Sequence, residues 1–310
     1  MYSCSLCGSS LRAVVSSKDA KSGQELIVKL CETCGLVQQA VIPSEEELRV
    51  YYSHHYRKDY KKTYAPKSKY VYRAGLAARN RLAFLGDVLN GNLRNPPVRM
   101  LDVGAGGGEV VYAAVKKGLE AKGIEPNLGY SDFAREQYGI TIETKHLDQV
   151  DDGPFDLITM FHVLEHIPNP AKVMRRLAEL IQPGGFLMIE VPNIQQADAS
   201  PSNIYFKAHL FYFAAPTLRA FASPYFDPVK IDDSGNLKVL FRRRPSDGNL
   251  CLPTLQEVNT IKNRLKEKGW LEYLVKGGGW KRPIKRVAQL FNELKIKKLT
   301  PRQTLDSLIG

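Results

Sequence analysis

The chain has 310 residues, of which 44% are hydrophobic and 25% charged, a composition typical of a folded globular protein and a length that suits one large domain with smaller appendages. No run of about 18 apolar residues occurs, so no membrane-spanning helix is expected, and the opening MYSCSLCG lacks the basic and apolar regions of a secretory leader, which leaves the cytosol as the expected location. The net charge is +12, and residues 242–310 carry 16 Lys/Arg against 6 Asp/Glu, so ten of the twelve charges belong to the C-terminal end.

Residues 1–40 read as a small module, CSLCG followed by a polar segment with one apolar run and then CETCGLVQ. Cys4, Cys7, Cys31 and Cys34 form two CxxC knuckles 23 residues apart. Each knuckle turns two sulfurs inward, and four thiolates close a tetrahedral zinc site. Some 40 residues bury too little apolar surface to fold alone, so a bound metal supplies the missing stability. Four cysteines leave no open coordination position, which makes the expected zinc structural; two disulfides are the weaker alternative. Cys251 stands alone and reads as an incidental thiol.

Residues 41–95 look polar and helical. They include seven tyrosines, at 51, 52, 56, 60, 64, 70 and 72. One reading is a surface linker; the other is a lid whose phenol rings cover a cationic cofactor. Residues 96–244 alternate strands and helices: VRMLDV, EVVYAAVKKG, LEAKGI, YSDFAREQYG, ITIET, FDLITMF, PAKVMRRLAELIQPGG and FLMIEVP. That alternation predicts a parallel, doubly wound α/β sheet. A hairpin follows, with PVKIDD and NLKVLFRR joined at Ser234-Gly235. Residues 245–310 read as a basic helical extension. Ile284, Val287, Phe291 and Leu294 share one face of its main helix. Either that helix docks on the body with a solvated basic face, or it meets an anionic membrane surface or acidic partner. No nucleic-acid-binding signature accompanies the charge.

LDVGAGGGE follows a strand and opens a helix. Glycines 104, 106, 107 and 108 allow close approach of a ligand. The dinucleotide pattern G-x-G-x-x-G fails, because position 109 is Glu, an unwelcome neighbour for a pyrophosphate. A sulfonium cofactor tolerates acids. Asp102, and Glu125 at the end of the second strand, are placed for such a ligand, Glu125 accepting from its ribose hydroxyls.

In this order, LDVGAGGGE, GIEP, FDLITMFHVLEHIPNP and LIQPGGFLMIEVPN resemble class I S-adenosylmethionine-dependent methyltransferases over residues 98–241. The resemblance implies a seven-stranded Rossmann-like sheet with the hairpin at 229–242 as its last two strands. Gly104 and Gly106 would approach the methionine part of S-adenosylmethionine, and Glu125 would bind its ribose. Phe161 and His162 would flank cofactor and substrate. The residue contacting the adenine would be Leu147 or Asp148. With the four-cysteine module, the chain is similar to bacterial sugar methyltransferases, including C-methyltransferases of nucleotide-linked ketosugars. Those carry a pattern near Y-H-E-H-L-x-Y-F after the fifth strand. Here the stretch is FKAHLFYF: Phe206 and Ala208 replace the Tyr and Glu, and only His209 matches. The segment after the sheet is also too short for their second Rossmann-like domain. Both departures favour O-methylation of a sugar hydroxyl or glycoconjugate, nucleotide- or lipid-linked, with His209 as base; the alternative for His209 is a packed structural histidine. The runners-up are C-methylation of a nucleotide-linked deoxysugar and O-methylation of a quinone-like small molecule. Quinone-biosynthesis enzymes resemble this chain at HVLEH, where His162, Glu165 and His166 would hold a divalent metal; the favoured alternative is that Glu165 and His166 orient the loop after the fourth strand. A non-catalytic assembly protein is a further alternative, opposed by the intact Gly104, Gly106 and Glu125. Peripheral contact at the inner membrane surface is the expectation attached to the basic helix.

Overall fold

The structure is a computed structural model that describes residues 2–44, 47, 66, 68–86 and 98–309. Five of the seven tyrosines of the expected lid, Tyr51, Tyr52, Tyr56, Tyr60 and Tyr64, lie outside the described residues. In chain order the strands are β1 (Ala13–Lys18), β2 (Glu25–Leu30), β3 (Val37–Gln39), β4 (Arg99–Val103), β5 (Glu120–Ile124), β6 (Ile142–Glu143), β7 (Phe155–Phe161), β8 (Ile181–Val191), β9 (Phe211–Tyr212), β10 (Phe226–Asp232) and β11 (Leu237–Arg243). The helices are α1 (Ser68–Phe84), α2 (Glu109–Lys116), α3 (Leu128–Tyr138), α4 (Pro170–Leu180), α5 (Ala215–Ala222), α6 (Leu255–Glu267), α7 (Trp270–Val275), α8 (Arg282–Lys295) and α9 (Pro301–Ile309).

The main sheet has seven strands in the order β10-β11-β8-β7-β4-β5-β6. Strand β4 pairs in parallel with β5 and β7, β5 pairs in parallel with β6, and β10 and β11 form the antiparallel hairpin. The parallel core is the doubly wound sheet that the alternation predicts, and the seven-stranded Rossmann-like arrangement with its terminal hairpin is the one the resemblance implies. Central β4 buries Met100, Leu101, Asp102 and Val103 in succession, as an interior parallel strand covered on both faces must. Helix α3 starts where the Asn127 side chain accepts from the Tyr130 amide at 3.1 Å and stops at Gly139, whose φ is 67°. One boundary differs from expectation. Pro183, Gly184 and Gly185, read as a helix stop, lie inside β8, and α4 ends three residues earlier at Leu180. A four-stranded sheet, β1-β2-β3-β9, was not foreseen.

The chain forms two compact units. One comprises Met1–Arg49, His162–Ala178 and Met188–Pro283; the other comprises Val50–Phe161, Glu179–Leu187 and Ile284–Gly310. In the first, Leu26, Val28, Leu30 and Val37 of the cysteine module pack with Ile194, Tyr212, Ala214 and Ile261. Ile261 comes from α6, which a Thr254–Glu257 capping box starts. In the second, Val71 of α1, Val111, Tyr112, Phe133, Tyr138, Ile142 and Leu305 of α9 share one core. Tyr112 donates to Asp306 at 2.6 Å, and Lys116 pairs with the same carboxylate at 3.1 Å. The C-terminal residues are therefore not a free-standing extension: α6 packs into one unit and α9 into the other.

Gly123 on β5 has no room for a side chain. A Cβ there would lie 2.6 Å from the Ala105 Cβ and 2.7 Å from Ile142 Cδ1. Gly123→Ala is expected to destabilise the protein by about 1–3 kcal/mol, as overpacking does. A urea unfolding midpoint equal to that of the parent would contradict this close packing.

Candidate active site

The glycine loop belongs to the second unit. It leaves β4 with Gly104 and Gly106 at φ 71° and 53°, and Gly108 enters α2 at φ 83°. Gly104 N and Ala105 N both donate to the Ile124 carbonyl at 2.9 Å, which folds the loop over the end of β5. Glu125 follows that strand. Its Oε2 accepts from Gly106 N and its Oε1 from Asn127 N, each at 2.9 Å. Burial raises the Glu125 pKa, against the pull of these two amides. The expected ribose acid is thus pinned to the expected cofactor loop.

Asp102 does not face an open crevice. It is 2% exposed and accepts from the Thr159 hydroxyl at 2.6 Å, bracing β4 against β7, and burial pushes its pKa up to about 7. Glu109, buried at the start of α2, is pushed up by the same cause to about 7. Phe161 ends β7, and the Arg81 guanidinium of α1 lies 4.1 Å from its ring centre. Arg81 also favours the ionised forms of Asp102 and Glu109. It carried no motif and was not foreseen. Leu147 and Asp148 occupy a single 3-10 turn, Leu147 half-buried and Asp148 exposed.

The histidines belong to the first unit. His162, directly after β7, has φ 56°, the sole non-glycine residue in the left-handed region among the described residues. Such strain of roughly 1–3 kcal/mol persists where surrounding contacts enforce it. Here the enforcing contacts are visible. His162 N donates to the Glu190 carbonyl at 2.8 Å, Nδ1 lies 3.4 Å from Glu165 Oε1, and Nε2 lies 3.3 Å from Glu190 Oε1. Asn236 donates to the same Glu190 oxygen at 2.9 Å. Burial opposes a charged imidazole, but Glu165 and Glu190 outweigh it and raise the His162 pKa to about 9. His162 is therefore an imidazolium at neutral pH and holds its proton too firmly to serve as a base.

Glu165 is 1% exposed, and neither of its oxygens accepts a hydrogen bond among the described residues. His162 and His166 approach it at ion-pair distance only. His166 Nδ1 lies 2.8 Å from the Ala208 carbonyl; a carbonyl only accepts, so Nδ1 carries the proton and Nε2 is turned toward Glu165, 3.8 Å from Oε1. The His209 ring stands edge-on to His166, with centroids 4.9 Å apart, and packs beside Phe206 and Tyr212. Burial, then the charge of His166, push the His209 pKa down to about 4. His209 is neutral at pH 7, although its pKa is lower than the near-neutral value expected of it. Glu165, His166 and His209 each offer a donor atom within 4.8 Å of the others, a set that could hold a divalent cation. The trio anticipated from HVLEH differs in one member: His162 is committed to its two carboxylates, and His209 stands in its place.

The cysteine module holds this cluster in shape. The Cys4–Cys34 and Cys7–Cys31 sulfurs are 3.5 Å apart and unbonded. Tetrahedral metal–sulfur bonds of about 2.3 Å place sulfurs about 3.8 Å apart, so the donor set fits such a metal. Both knuckles close through a left-handed glycine, Gly8 and Gly35, which donate to the Cys4 and Cys31 carbonyls. Strand β3 begins three residues after Cys34 and pairs with β9. The Gln39 amide donates to the Phe206, Lys207 and His209 carbonyls at 3.3, 2.9 and 2.9 Å. Asp19 accepts from Lys207 N at 2.5 Å.

Residues 71–224 match the family described as a methyltransferase domain. That segment is a methyltransferase domain. The chain is similar to the ubiquinone biosynthesis O-methyltransferases of Burkholderia vietnamiensis, 32% identical over 103 residues (31% of this chain, 44% of that protein), and Burkholderia thailandensis, 29% over 106 residues (32% and 46%). The match thus spans less than half the length of these curated relatives. Among solved structures, magnesium protoporphyrin IX methyltransferase from Synechocystis, solved with bound S-adenosylmethionine, has a TM-score of 0.47 at 17% identity, covering 66% of this chain and 99% of that one. The methyltransferase domain contains Glu125, His162, Glu165, His166 and His209, and leaves out the cysteines and every helix after α5.

The raised His162 pKa has a testable consequence. A histidine whose folded pKa lies above its unfolded value of 6.5 stabilises fully below pH 6.5 and loses that contribution as the pH climbs through about 9. Asparagine tolerates the left-handed backbone without the charge. His162→Asn is expected to melt below the parent at pH 6.5, the gap narrowing above pH 9. A gap independent of pH would show that the imidazolium contributes nothing.

Proposed function

We propose that the protein is an S-adenosylmethionine-dependent methyltransferase that methylates a hydroxyl oxygen, with structural zinc in its cysteine module. The observation that carries the cofactor assignment is Glu125, buried at the end of β5 and fixed to Gly106 N. A carboxylate pinned there presents its remaining lone pairs to the two ribose hydroxyls, while the glycines leave room for the methionine part. S-adenosylmethionine supplies the electrophilic methyl group.

In this reading the acceptor hydroxyl gives its proton to neutral His209. The imidazolium that forms is stabilised by Glu165, a buried carboxylate that no hydrogen bond engages. His166, oriented through Nδ1 by the Ala208 carbonyl, completes the polar wall. Burial keeps His209 unprotonated but a weak base, and a weak base takes a proton more readily from an acidic hydroxyl than from an alcohol. That favours a phenol or enol over a sugar alcohol, in line with the names of the similar ubiquinone-pathway enzymes. Phe206 and Tyr212 flank His209, and Tyr205 packs on Tyr212, an aromatic surface suited to such an acceptor. The Glu165 oxygens, which accept no hydrogen bond among the described residues, also support a second reading, in which Glu165, His166 and His209 hold a divalent cation that orients the hydroxyl.

Calorimetry with S-adenosylmethionine is expected to show saturable binding, weakened about tenfold or more in Glu125→Ala; no binding by the parent would overturn the cofactor assignment. With a catechol as acceptor, His209→Ala should keep cofactor affinity and lose about 10²–10⁴-fold in turnover. Turnover within twofold of the parent would reject His209 as base. Mg2+ binding that disappears in His209→Ala would favour the cation reading.

The cysteine module gives a separate expectation. Cys31→Ser removes a zinc ligand and, with it, the frame that presents β3 to β9. Cofactor affinity should persist, because the glycine loop and Glu125 lie in the other compact unit, while methyl transfer is lost. A Cys31→Ser enzyme with parental turnover would separate the module from catalysis.

A further inference from the structure

Helix α8 is amphipathic in an inverted sense. None of its 14 residues is buried. Ile284, Val287, Leu290, Phe291 and Leu294 are 66, 53, 51, 63 and 63% exposed. At 100° per residue they occupy an arc of about 120° on one side of the helix. The two half-buried residues of the helix are Gln289 and Glu293, which lie opposite that arc. Glu293 forms an ion pair with Arg73 of α1 at 2.7 Å. The helix thus touches its own unit through its polar side and turns its apolar side outward. The docked helix with a solvated basic face, one of the two arrangements its sequence allows, is not what forms.

Charge narrows what could cover such a face. From residue 273 to 305 the chain has nine Lys/Arg and one acid, Glu293, which Arg73 already occupies. Arg286 and Lys295 fall at the two edges of the apolar arc, and Lys297 and Lys298 follow the helix. Trp280, 59% exposed, stands two residues before the helix, with the Lys281 ammonium 5.0 Å from its ring. A second copy of this segment would bring like charges together along both edges. Anionic headgroups neutralise those edges while the boundary with the acyl chains receives the apolar residues, and tryptophan favours that same depth.

We propose that α8 is an interfacial anchor that lies flat on an anionic lipid bilayer, its Ile284–Leu294 face in the headgroup–acyl boundary and Arg286 and Lys295 on the lipid phosphates. This is independent of the methyl-transfer reading: α8 is outside the methyltransferase domain and contributes no residue to the candidate active site.

The test is co-sedimentation of the full chain with vesicles of phosphatidylcholine alone and of phosphatidylcholine mixed with phosphatidylglycerol. Binding is expected to the anionic vesicles, to weaken with added salt, and to blue-shift tryptophan emission. Val287→Glu with Phe291→Glu should lower the partition coefficient about tenfold or more, since it places two charges on the inserted face. Arg286→Glu with Lys295→Glu should abolish the preference for anionic vesicles. These positions are exposed, so unchanged melting temperatures verify that folding is intact. Failure to bind anionic vesicles, or binding unaffected by the Val287/Phe291 substitutions, would overturn the proposal. So would light scattering that shows a dimer which the same substitutions dissolve. Loss of methyl transfer to a soluble acceptor would count against the catalytic reading alone.

Discussion

The single amide of Gln39 fixes the backbone of the candidate acceptor site. Three carbonyls, of Phe206, Lys207 and His209, converge on its Nε2. Gln39 N also donates to the Leu210 carbonyl, and Leu210 N donates to the Glu165 carbonyl. A loop of otherwise irregular backbone is thereby satisfied from both sides, as buried polar groups must be. Gln39 is itself held because β3 leaves the second cysteine knuckle and pairs with both β2 and β9. The order of dependence therefore runs from four clustered cysteines, to a three-residue strand, to one amide, to the backbone of His209. In the proposed reading, a module too small to fold unaided supplies a wall of the acceptor site.

The polar centre follows a different logic, one of charge balance in a dry setting. Two carboxylates, Glu165 and Glu190, are buried here, and burying such groups is costly unless a partner offsets it. His162 lies between them at the cost of a left-handed backbone. With His162 committed, His209 is left neutral: burial disfavours its charge, and the positive potential of His166 and His162 adds to the effect. Two histidines of one sequence neighbourhood thus hold opposite protonation states, one raised to about 9 and one lowered to about 4. The division of labour lies in their surroundings, since the side chains are the same.

The sheet was legible because its signals are local. A buried apolar run ending in glycines, helices of matching length and a Ser-Gly hairpin all act over a few residues, and they place β4 to β8, β10 and β11 correctly. The CxxCG knuckles and Glu125 are equally local. The joining of residues 37–39 to 206–212 was not legible, since the pairing crosses some 170 positions of chain and depends on carbonyls. Ala208 makes the point most sharply. Its methyl side chain, read as the loss of a polar group, offers no chemistry, yet its backbone carbonyl orients His166. Arg81 escaped notice for a related reason: a lone arginine on a helix carries no motif until Phe161 and two buried acids are found beside it.

The C-terminal helices show how alike two amphipathic sequences can look while serving opposite ends. α9 buries Leu305 and Thr304 against α1 and α2, and the missing side chain of Gly75 makes room for Leu305 and Leu308. α8 contacts the same α1 through Glu293, yet keeps every large apolar residue in solvent. Both helices are within reach of the core of one unit, so exposure of the α8 face does not reflect a lack of apolar surface to cover it. Hydrophobic periodicity reports that a face will be buried; the charges along its edges indicate what buries it. Around α9 the charges are consumed internally, Asp306 by Tyr112 and Lys116. Around α8 the cations outnumber their acidic partners, and it is on that surplus that the proposed lipid contact rests.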